Sequence, residues 1–267
     1  MEKNHGVLQG QRLTDYVGGT LPYEIRVADG NWKPYLPPGE WQRNHYFDTY
    51  GCVSFSALNS IEVQMKLIGI ERNFSDRFTV IMSGTIPNQG NWLFKVADSI
   101  RKDGLVDEAV FPAPAEYTQA TYFAPPSIEV INKAREFLTE YDVKYEFIPC
   151  TKEQLKYHLK HAPIQIVIYD GSHAVLDILS EVDIEHYFDS YDPFLKQYNT
   201  LPSSACKIVV NKKNKVMSET EVKKQYALSF YREPSAEELA YWIGKDLLTF
   251  LNTALKDRSA FLNQQSQ

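Results

Sequence analysis

The sequence predicts an α+β fold, in which a helical half is followed by a half built on an antiparallel sheet, with a further helix near the end of the chain. Apolar residues recur at helical spacing in the first half of the chain, whereas short apolar or alternating runs dominate from residue 143 to residue 210. These runs follow one another too closely for helices to fit between them, which disfavours a repeated βαβ arrangement. With 43% hydrophobic residues, the 267-residue chain can fill a sizeable core.

The helical half begins with an irregular arm. Residues 1–45 are rich in Gly, Pro, Tyr and Trp and show no sustained periodicity, so few regular elements are expected there. From residue 52 onward apolar residues recur at helical spacing, and Gly69 follows in the position of a helix stop. We therefore predict a central, well-buried helix over 52–68, followed by a strand over Arg77–Met82.

Two further helices complete the helical half, which covers residues 46–142. One traces an apolar face from Trp92 and is closed by Gly104, and the other runs from about Ser127 to Tyr141. Each has a single apolar stripe, so each is expected to bury one face.

The sheet half covers residues 143–200. Val143–Ile148 alternates like a strand, and Thr151 with Gln154 forms a capping box ahead of a short helix. Three strands are predicted to follow as antiparallel neighbours, namely Pro163–Tyr169, His173–Leu179 and Ile184–Phe188.

Residues 201–267 form a predicted extension of strand and helix. Lys207–Val210 is predicted as a strand, and Ser235 with Glu238 forms a capping box that opens a helix whose apolar stripe runs to Leu251. This helix either packs on the core or offers an apolar face to a partner, such as a second copy of the chain.

Charge, hydropathy and cysteine content exclude several classes of protein. Lys and Arg number 28 against 34 Asp and Glu, a net charge of −6 scattered along the chain, so nucleic acid is not expected as a partner. No apolar run approaches the roughly 18 residues of a membrane span, and the first residues lack the pattern of a secretory signal, so a cytoplasmic location is expected. The three cysteines are too few for a disulfide framework and are not spaced as zinc ligands.

Cys52 is the first candidate for chemistry. It lies at the predicted N-terminus of the central helix, where unpaired N–H groups and the helix dipole favour a thiolate. A cysteine within the segment GCVSFSA also fits a small buried hydrophobic residue, so its assignment depends on what else is present.

His173 and Asp189 are the candidate partners of Cys52. His173 opens one predicted strand, and Asp189 ends the next strand 16 residues later. If the two strands pair as a hairpin, Asp189 can orient the far nitrogen of the imidazole. A cysteine, a histidine and a carboxylate in this chain order suffice for thiolate attack on a carbonyl group.

A second pair of histidines is discounted as a metal site. His158 and His161 lie three residues apart near Glu153, but the lysines around them favour a solvated helix face. We therefore expect neither a metal nor a cofactor.

The segments that carry these residues resemble papain-like cysteine peptidases over roughly residues 20–200. The cysteine-bearing helix of that family is similar to CVSFSALNSIE, and a helix and turn of its left-hand domain resemble NWLFKVADSIRKDGLVDEAVFPAP. The right-hand domain of the family, with its short helix, its His-Ala-Val strand and its Asn-Ser-Trp motif, is similar to TKEQLKYHLKHAPIQIVIYDGSHAVLDILSEVDIEHYFDSYDPF. The resemblance implies a papain-like fold with a helical left-hand half and an antiparallel-sheet right-hand half.

The resemblance also implies a role for four residues. Cys52 matches the nucleophile, His173 the general base and acid, and Asp189 the orienting Asn of Asn-Ser-Trp. Gln42 is the candidate for the glutamine that shares the oxyanion hole, although it lies ten residues before Cys52 and the family usually places it six before. The alternative for Gln42 is an exposed polar loop residue.

The chain departs from the family pattern elsewhere. Val53 stands where the family has an aromatic residue after the nucleophile, and the disulfide cysteines of the secreted members are missing. The Gly-Gly pair that supports the substrate backbone in the family has no clear match near Gln89-Gly90-Asn91. The N-terminal segment is expected to be too short for an inhibitory propeptide. Asp in place of Asn is a mild change, because a carboxylate accepts the imidazole N–H at least as well. The unadorned chain with a helical extension is most similar to bacteriophage-encoded members.

Two functions are consistent with these observations. The first is a papain-like thiol hydrolase that acts on a polypeptide or another amide, cleaving peptide or isopeptide bonds through an acyl-enzyme without metal or cofactor. The second is a catalytically inactive papain-fold protein, for example a virion component whose C-terminal helix docks neighbouring copies. The presence of all three candidate triad residues favours the first, whereas the altered substrate-side residues favour the second. The expected location is correspondingly the cytoplasm or a virion.

Overall fold

Most of the 267-residue chain is described by a computed structural model, which covers residues 6–8, 24–43, 47–114, 118–169, 171–181, 184–213, 219–230, 232–247 and 249–254. The chain divides into two units, Met1–Asn211 and Lys212–Gln267, each of which is described by itself. Much of the predicted irregular arm and the end of the predicted extension lie outside the described residues.

Within its described residues the first unit contains six α-helices, and the first of them lies at its centre. They are α1 (Cys52–Leu67), α2 (Asp76–Met82), α3 (Leu93–Asp103), α4 (Gln119–Tyr122), α5 (Ile128–Glu140) and α6 (Lys152–Leu159). Every residue of α1 from Cys52 to Met65 is buried, as expected for a helix surrounded by its own domain. The predicted central helix is therefore confirmed, and so are the two helices predicted after it, which are α3 and α5.

The predicted strand over Arg77–Met82 is wrong, because these residues belong to helix α2. The side chain of Ser75 accepts a hydrogen bond from the backbone N–H of Phe78 and so caps the helix. The β-branched residues of the segment suggested a strand, but the cap and the packing of α2 against α1 and α3 outweigh that preference.

The second half of the first unit is a six-stranded sheet. Its strands are β1 (Tyr141–Phe147), β2 (Ile164–Ile168), β3 (His173–Ser180), β4 (Glu185–Phe188), β5 (Leu195–Tyr198) and β6 (Ser204–Lys212), in the spatial order β1-β6-β2-β3-β4-β5. The pairs β2–β3, β3–β4, β4–β5 and β2–β6 are antiparallel, which confirms the predicted antiparallel sheet. Because β6 lies between β1 and β2, the strand part of the predicted 201–267 extension belongs to the first unit.

The predicted solvated face around His158 and His161 is wrong, because both rings are buried. His158 Nδ1 lies 3.0 Å from the ammonium group of Lys207, which is itself buried and paired with Glu146 at 2.6 Å. His161 Nδ1 lies 2.9 Å from the backbone oxygen of Glu24. The side chains are therefore structural hydrogen-bonding partners between α6, β6 and the arm, a role that neighbouring lysines in the sequence conceal.

The second unit contains α7 (Glu219–Phe230) and α8 (Ala236–Trp242). The predicted capping box is confirmed, since Ser235 and Glu238 each bond to the other's backbone. The prediction of one helix extending to Leu251 is wrong, because α8 ends at Trp242 and Gly244 adopts a positive φ of 79° that favours glycine. Within this unit the indole N–H of Trp242 donates to the Tyr226 hydroxyl at 3.1 Å.

Among the described residues, the helices are all too short or too polar to cross a lipid bilayer.

Candidate active site

The start of helix α1 meets the start of strand β3. Cys52 is the first residue of α1, and its Sγ accepts a hydrogen bond from the backbone N–H of Ala174 at 3.5 Å. Ala174 directly follows His173, the first residue of β3. The sheet therefore holds the backbone beside His173 against the sulfur of Cys52.

His173 and Asp189 are in direct contact. The imidazole Nε2 lies 2.7 Å from Asp189 Oδ1, and both side chains are only 1% exposed. The contact arises because β3 and β4 pair as neighbours, with Leu176 opposite Phe188, so that His173 and Asp189 lie towards the same end of the hairpin. The sequence prediction that hairpin pairing brings these two residues together agrees with this geometry.

Two tyrosine rings flank the imidazole of His173. The ring of Tyr169 is stacked on it with centroids 6.1 Å apart, and the ring of Tyr191 is tilted against it at 5.5 Å. Such aromatic walls shield the hydrogen bond to Asp189 from water, which strengthens its electrostatic effect.

Gln42 is fully buried, so it is not an exposed loop residue. Its Oε1 accepts a hydrogen bond from the hydroxyl of Ser190 at 2.7 Å, and its backbone N–H donates to the Ser190 carbonyl oxygen at 3.2 Å. Its Nε2 donates to Asp48 Oδ1 at 2.9 Å and to the Tyr191 hydroxyl at 2.6 Å. Gln42 is thus tied to the loop that carries Asp189, and both of its amide hydrogens have partners.

Asp48 belongs to the same group of side chains, although it was not selected as a candidate from the sequence. Its carboxylate accepts from Gln42, from the backbone N–H of Tyr50 at 2.8 Å, and from the Tyr191 hydroxyl. Its position four residues before Cys52 is the one sequence feature that could have identified it as a candidate site residue. Asp48 therefore links the approach to α1 with the loop after β4.

A short extended segment at the N-terminus of the chain lies beside these residues. The backbone N–H of Val7 donates to the carbonyl oxygen of Ser172 at 3.3 Å, and Leu8 and Gly6 bond to the two backbone groups of Asn91 at 2.8 Å each. Val7 and Asn91 thereby form a parallel bridge. The segment Gly6–Leu8 therefore joins the residue before His173 to the Gln89–Asn91 turn, where the sequence showed no clear substrate-binding glycines.

The same segment passes close to the residues that precede Cys52. A Cβ added to Gly6 would lie 2.4 Å from the backbone oxygen of Tyr50, and Gly6 has a φ of 102°. Because Tyr50 and Ser172 lie within two residues of Cys52 and His173, the segment is placed at the junction of α1 and β3. Cys52 itself is 0% exposed.

Burial controls the protonation of Cys52. It raises the pKa of the thiol, and the charges of Asp48 and Asp189 raise it further, while backbone N–H donors from Ala174 and Val53 act in the opposite direction. The prediction that the position of Cys52 at a helix N-terminus favours a thiolate is therefore wrong for this arrangement, because desolvation is the larger effect. Burial also acts to raise the pKa of Asp189, but the hydrogen bonds and charges of His173 and Lys196 outweigh it and hold the pKa below the usual range.

The arrangement supports acid–base chemistry at a sulfur atom. Asp189 occupies Nε2 of His173, so Nδ1 is the nitrogen that would exchange a proton with a nucleophile. All three cysteines are free thiols, and no group of three or more His, Cys, Asp or Glu suited to a metal ion occurs in the part of the chain that the structure describes.

Comparison with known proteins identifies the fold. No family model and no curated protein sequence matches the chain. Among solved structures, xylellain, a cysteine protease of Xylella fastidiosa, has a TM-score of 0.55 at 14% identity, with 77% of this chain and 95% of that chain covered.

Two further solved structures resemble the chain to a similar degree. Digestive procathepsin L 3 of the Tenebrio molitor larval midgut has a TM-score of 0.52 at 16% identity, with 77% of this chain and 76% of that chain covered. The Carica candamarcensis cysteine protease CMS1MS2, in complex with E-64, has a TM-score of 0.51 at 12% identity, with 67% of this chain and 96% of that chain covered. The helical half, the antiparallel sheet half and these likenesses together show that the chain has the fold of papain-like cysteine proteases.

Proposed function

We propose that this protein is a papain-type thiol hydrolase that cleaves peptide or isopeptide bonds, with Cys52 as nucleophile, His173 as general base and acid, and Asp189 as the residue that orients His173. One observation carries the proposal above the others. The backbone N–H next to His173 lies 3.5 Å from the sulfur of Cys52, while the far side of the same imidazole is held by Asp189 at 2.7 Å. A nucleophile, a base and an orienting group in this order are what thiol acyl transfer requires.

In the first step, His173 Nδ1 takes the proton from Cys52 Sγ, and the thiolate attacks the carbonyl carbon of the substrate. The new S–C bond forms as the carbonyl π electrons move to oxygen. The imidazolium then gives its proton to the leaving nitrogen as the C–N bond breaks, which leaves a thioester on Cys52. In the second step, His173 deprotonates a water molecule that attacks the thioester, and the thiol is restored when the acid product leaves.

Two donors are proposed for the oxyanion. The backbone N–H of Cys52 lies in the first turn of α1, where helix geometry provides no intrahelical acceptor. Gln42 is the proposed second donor, and it would exchange its hydrogen bond to the Tyr191 hydroxyl for one to the oxyanion. Each such donor contributes about 10²–10³-fold to the rate in thiol and serine hydrolases.

The proposed substrates follow from the chemistry of the neighbours. CMS1MS2 is described as a cysteine protease in complex with E-64, which supports a polypeptide or another amide as the substrate class for this chain. The neighbours reported above come from an insect, a bacterium and a plant, and they lend no support to a bacteriophage origin. A virion location and association of copies through the C-terminal helix accordingly remain predictions from the sequence.

A protein without turnover is the second candidate, and one observation favours it. Cys52 is fully buried, and its burial raises the pKa of the thiol, as expected for a cysteine that serves only packing. A structural role and a closed enzyme differ in one respect. Only the enzyme has a cysteine whose reactivity depends on His173 once the thiol is accessible.

Covalent labelling distinguishes the two candidates. We would treat the protein with iodoacetamide and with E-64 from pH 4 to pH 9 and locate the adducts by mass spectrometry. The same measurement on Gly6→Ala separates lack of access from lack of chemistry, because that change displaces the segment beside Cys52. His173→Ala tests the base, and the buried thiol of Cys206 serves as an internal control.

If the protein is an enzyme, Cys52 should be modified at a pH well below the ordinary thiol pKa of about 8.5, and this reactivity should be lost in His173→Ala. Cys206 should react slowly in every variant. If Cys52 in Gly6→Ala is accessible to iodoacetamide but reacts no faster with His173 than without it, the hydrolase proposal is refuted and the structural role stands.

A further inference from the structure

The carboxylate of Asp189 is shared between two basic side chains. Its Oδ1 lies 2.7 Å from His173 Nε2, and its Oδ2 lies 2.6 Å from the ammonium group of Lys196. The Asp189 side chain is 1% exposed and that of Lys196 is 21% exposed. A carboxylate that is removed from water is stable as an anion only when such partners surround it.

The register of the β4–β5 hairpin places Lys196 at this position. Tyr187 on β4 lies directly opposite Lys196 on β5. Asp189 follows Tyr187 by two residues, and its backbone N–H donates to the Phe194 carbonyl oxygen at 2.8 Å, which continues the pairing beyond β4. Residues two apart in an extended chain point to the same face, so Lys196 reaches Asp189 diagonally across the hairpin. The contact is therefore built into the strand pairing and is unlike a flexible surface ion pair.

The charges of Asp189 and Lys196 have opposite effects on the protonation of His173. A lone buried carboxylate stabilises the protonated imidazole and disfavours a thiolate nearby, because both effects follow from negative charge. An ammonium group on the other oxygen cancels most of that charge while leaving the oxygen that accepts from Nε2 in place. What remains is a fixed hydrogen-bond acceptor with little net charge.

We propose that Lys196 is a positioning residue, which fixes the carboxylate of Asp189 and neutralises it, so that the Asp189–Lys196 pair acts on His173 as a neutral acceptor would. The inference rests on the proposed function because it assumes that His173 must both take up and release a proton. A base with too much negative charge beside it holds its proton and cannot return to the neutral form that begins the next cycle. Lys196 would thus allow an aspartate to serve where the resemblance implies an asparagine.

The other charged and titratable groups around this pair stay the same when Lys196 is changed. On the side of α1 and the loop after β4 they are Cys52, Asp48, Tyr191 and Arg43, whose guanidinium lies 5.5 Å from the Tyr191 ring centre. On the sheet side they are Tyr169, which stacks on His173, and Tyr187, whose hydroxyl bonds to that of Tyr169. Lys33 and His186 line the surface depression beside Lys196.

The test is a titration of the His173 ring by two-dimensional NMR in the full-length chain. Cys52→Ser is used as the background, so that the imidazole does not titrate together with a thiol. Lys196→Met should raise the His173 pKa by about one unit, a tenfold stabilisation of the imidazolium. Asp189→Asn should lower it, because the charge of Lys196 is then uncompensated. The double variant should return to within about half a unit of the background protein.

Three controls make the result specific. Lys196→Arg keeps the charge and should leave the His173 pKa unchanged. Lys66→Met removes a lysine whose pairing with Glu71 at 3.0 Å lies elsewhere in the fold, and it should also have no effect. Lys196→Gln replaces Lys196→Met if the latter fails to fold, as judged by circular dichroism.

The inference is overturned if Lys196→Met leaves the His173 pKa where Lys66→Met leaves it, or if the double variant does not return toward the pKa of the background protein. Neither result depends on turnover. Failure of Cys52 to react in a His173-dependent manner would refute the proposed function alone, because the titration measures the imidazole directly. A His173 pKa insensitive to Lys196 in a protein that does show this reactivity would refute only the role of Lys196.

Discussion

Gly6→Ala is expected to open the region around Cys52. Gly6 has a φ of 102°, and a Cβ at this position would lie 2.4 Å from the backbone oxygen of Tyr50. Gly90 also lies close to the backbone of Gly6, since a Cβ added to Gly90 would lie 1.7 Å from the Gly6 backbone oxygen. The methyl group can therefore be accommodated only if the segment Gly6–Leu8 moves away from Tyr50.

The magnitude follows from what holds the segment. Three backbone hydrogen bonds join it to Ser172 and Asn91, and each contributes about 0.5–1.5 kcal/mol. A side chain at this positive φ costs about 1–3 kcal/mol before the clash is counted. The substitution thus removes stabilisation of the same size as the whole set of bonds. A net change of about 2 kcal/mol corresponds to a roughly 30-fold larger population in which the segment is undocked.

The assay is the rate at which iodoacetamide modifies Cys52 at neutral pH. When opening and closing are fast, this rate is proportional to the open population, so a rise of about tenfold to thirtyfold is expected in Gly6→Ala. Gly69→Ala is the matched control, since Gly69 also has a positive φ, of 78°, but a Cβ there meets nothing within 4 Å. Cys206, which is 0% exposed, reports global unfolding in the same sample.

Two results would refute the reasoning. Equal Cys52 labelling in Gly6→Ala and Gly69→Ala would mean that the segment does not control access to the thiol. An equal increase at Cys206 would mean that the substitution unfolds the domain, so that access to Cys52 reflects lost stability.

Three further changes are expected to have measurable effects. Gln42→Ala should lower kcat/KM on a peptide substrate about 10²–10³-fold, because an oxyanion donor is lost. Iodoacetamide labelling of Cys52 should stay unchanged. A parallel loss in both assays would contradict this role. Glu62 is buried and its pKa is raised to about 8, mainly by burial, so its contribution to stability is complete below about pH 4.5 and is lost, by about 1.4 kcal/mol per pH unit, as the pH rises toward 8. Glu62→Gln should therefore reduce the fall in Tm between pH 5 and pH 8, to which the buried Asp76 and Asp177 also contribute because burial raises their pKa values, and a Tm that falls equally in both proteins would count against it. His158 has the opposite effect on the pH dependence of stability, because burial and the neighbouring Lys207 lower its pKa to about 4. Stability should therefore fall as the pH drops below 6.5. His158→Gln should flatten the Tm profile between pH 7 and pH 4.5, whereas an unchanged slope would exclude His158 as the cause.

The elements that local sequence determines are the ones that could be predicted. Thr151 and Ser235 each cap a helix in the structure, as the short-range pattern indicated, although of the two only Ser235 forms a complete capping box, and Ser127, the predicted start of a helix, caps α5. The strand predicted over Arg77–Met82 failed because β-branched residues fit a strand and a short buried helix equally well over seven residues. Helix α7 was not predicted, since its apolar residues form no clear stripe, with only Val222 and Tyr226 buried.

The contact between His173 and Asp189 was predictable because strand pairing determines it. Two runs with a short connection can only pair as a hairpin, which brings residues 16 apart to the same end. Lys196 was not predictable in the same way. Its strand, Leu195–Tyr198, is four residues long and partly exposed, so its register against β4 could not be predicted from the pattern of apolar residues. The alignment of one short edge strand thus decides whether Asp189 has a counter-charge.

The protonation of Cys52 shows why a rule based on local sequence can fail at the candidate site. The position at the start of α1 favours a thiolate, but a helix terminus contributes only about 0.3–1 kcal/mol. Complete burial acts in the other direction and is the largest cause of the raised pKa. Cys52 belongs to a buried cluster that also contains Val7, which is distant in the chain and bonds to Ser172 through backbone groups that every residue type carries. Sequence therefore selects Cys52 as the proposed nucleophile, whereas the charge of its thiol depends on long-range contacts, and displacing the segment Gly6–Leu8 should let the helix terminus and His173 act on a solvated sulfur.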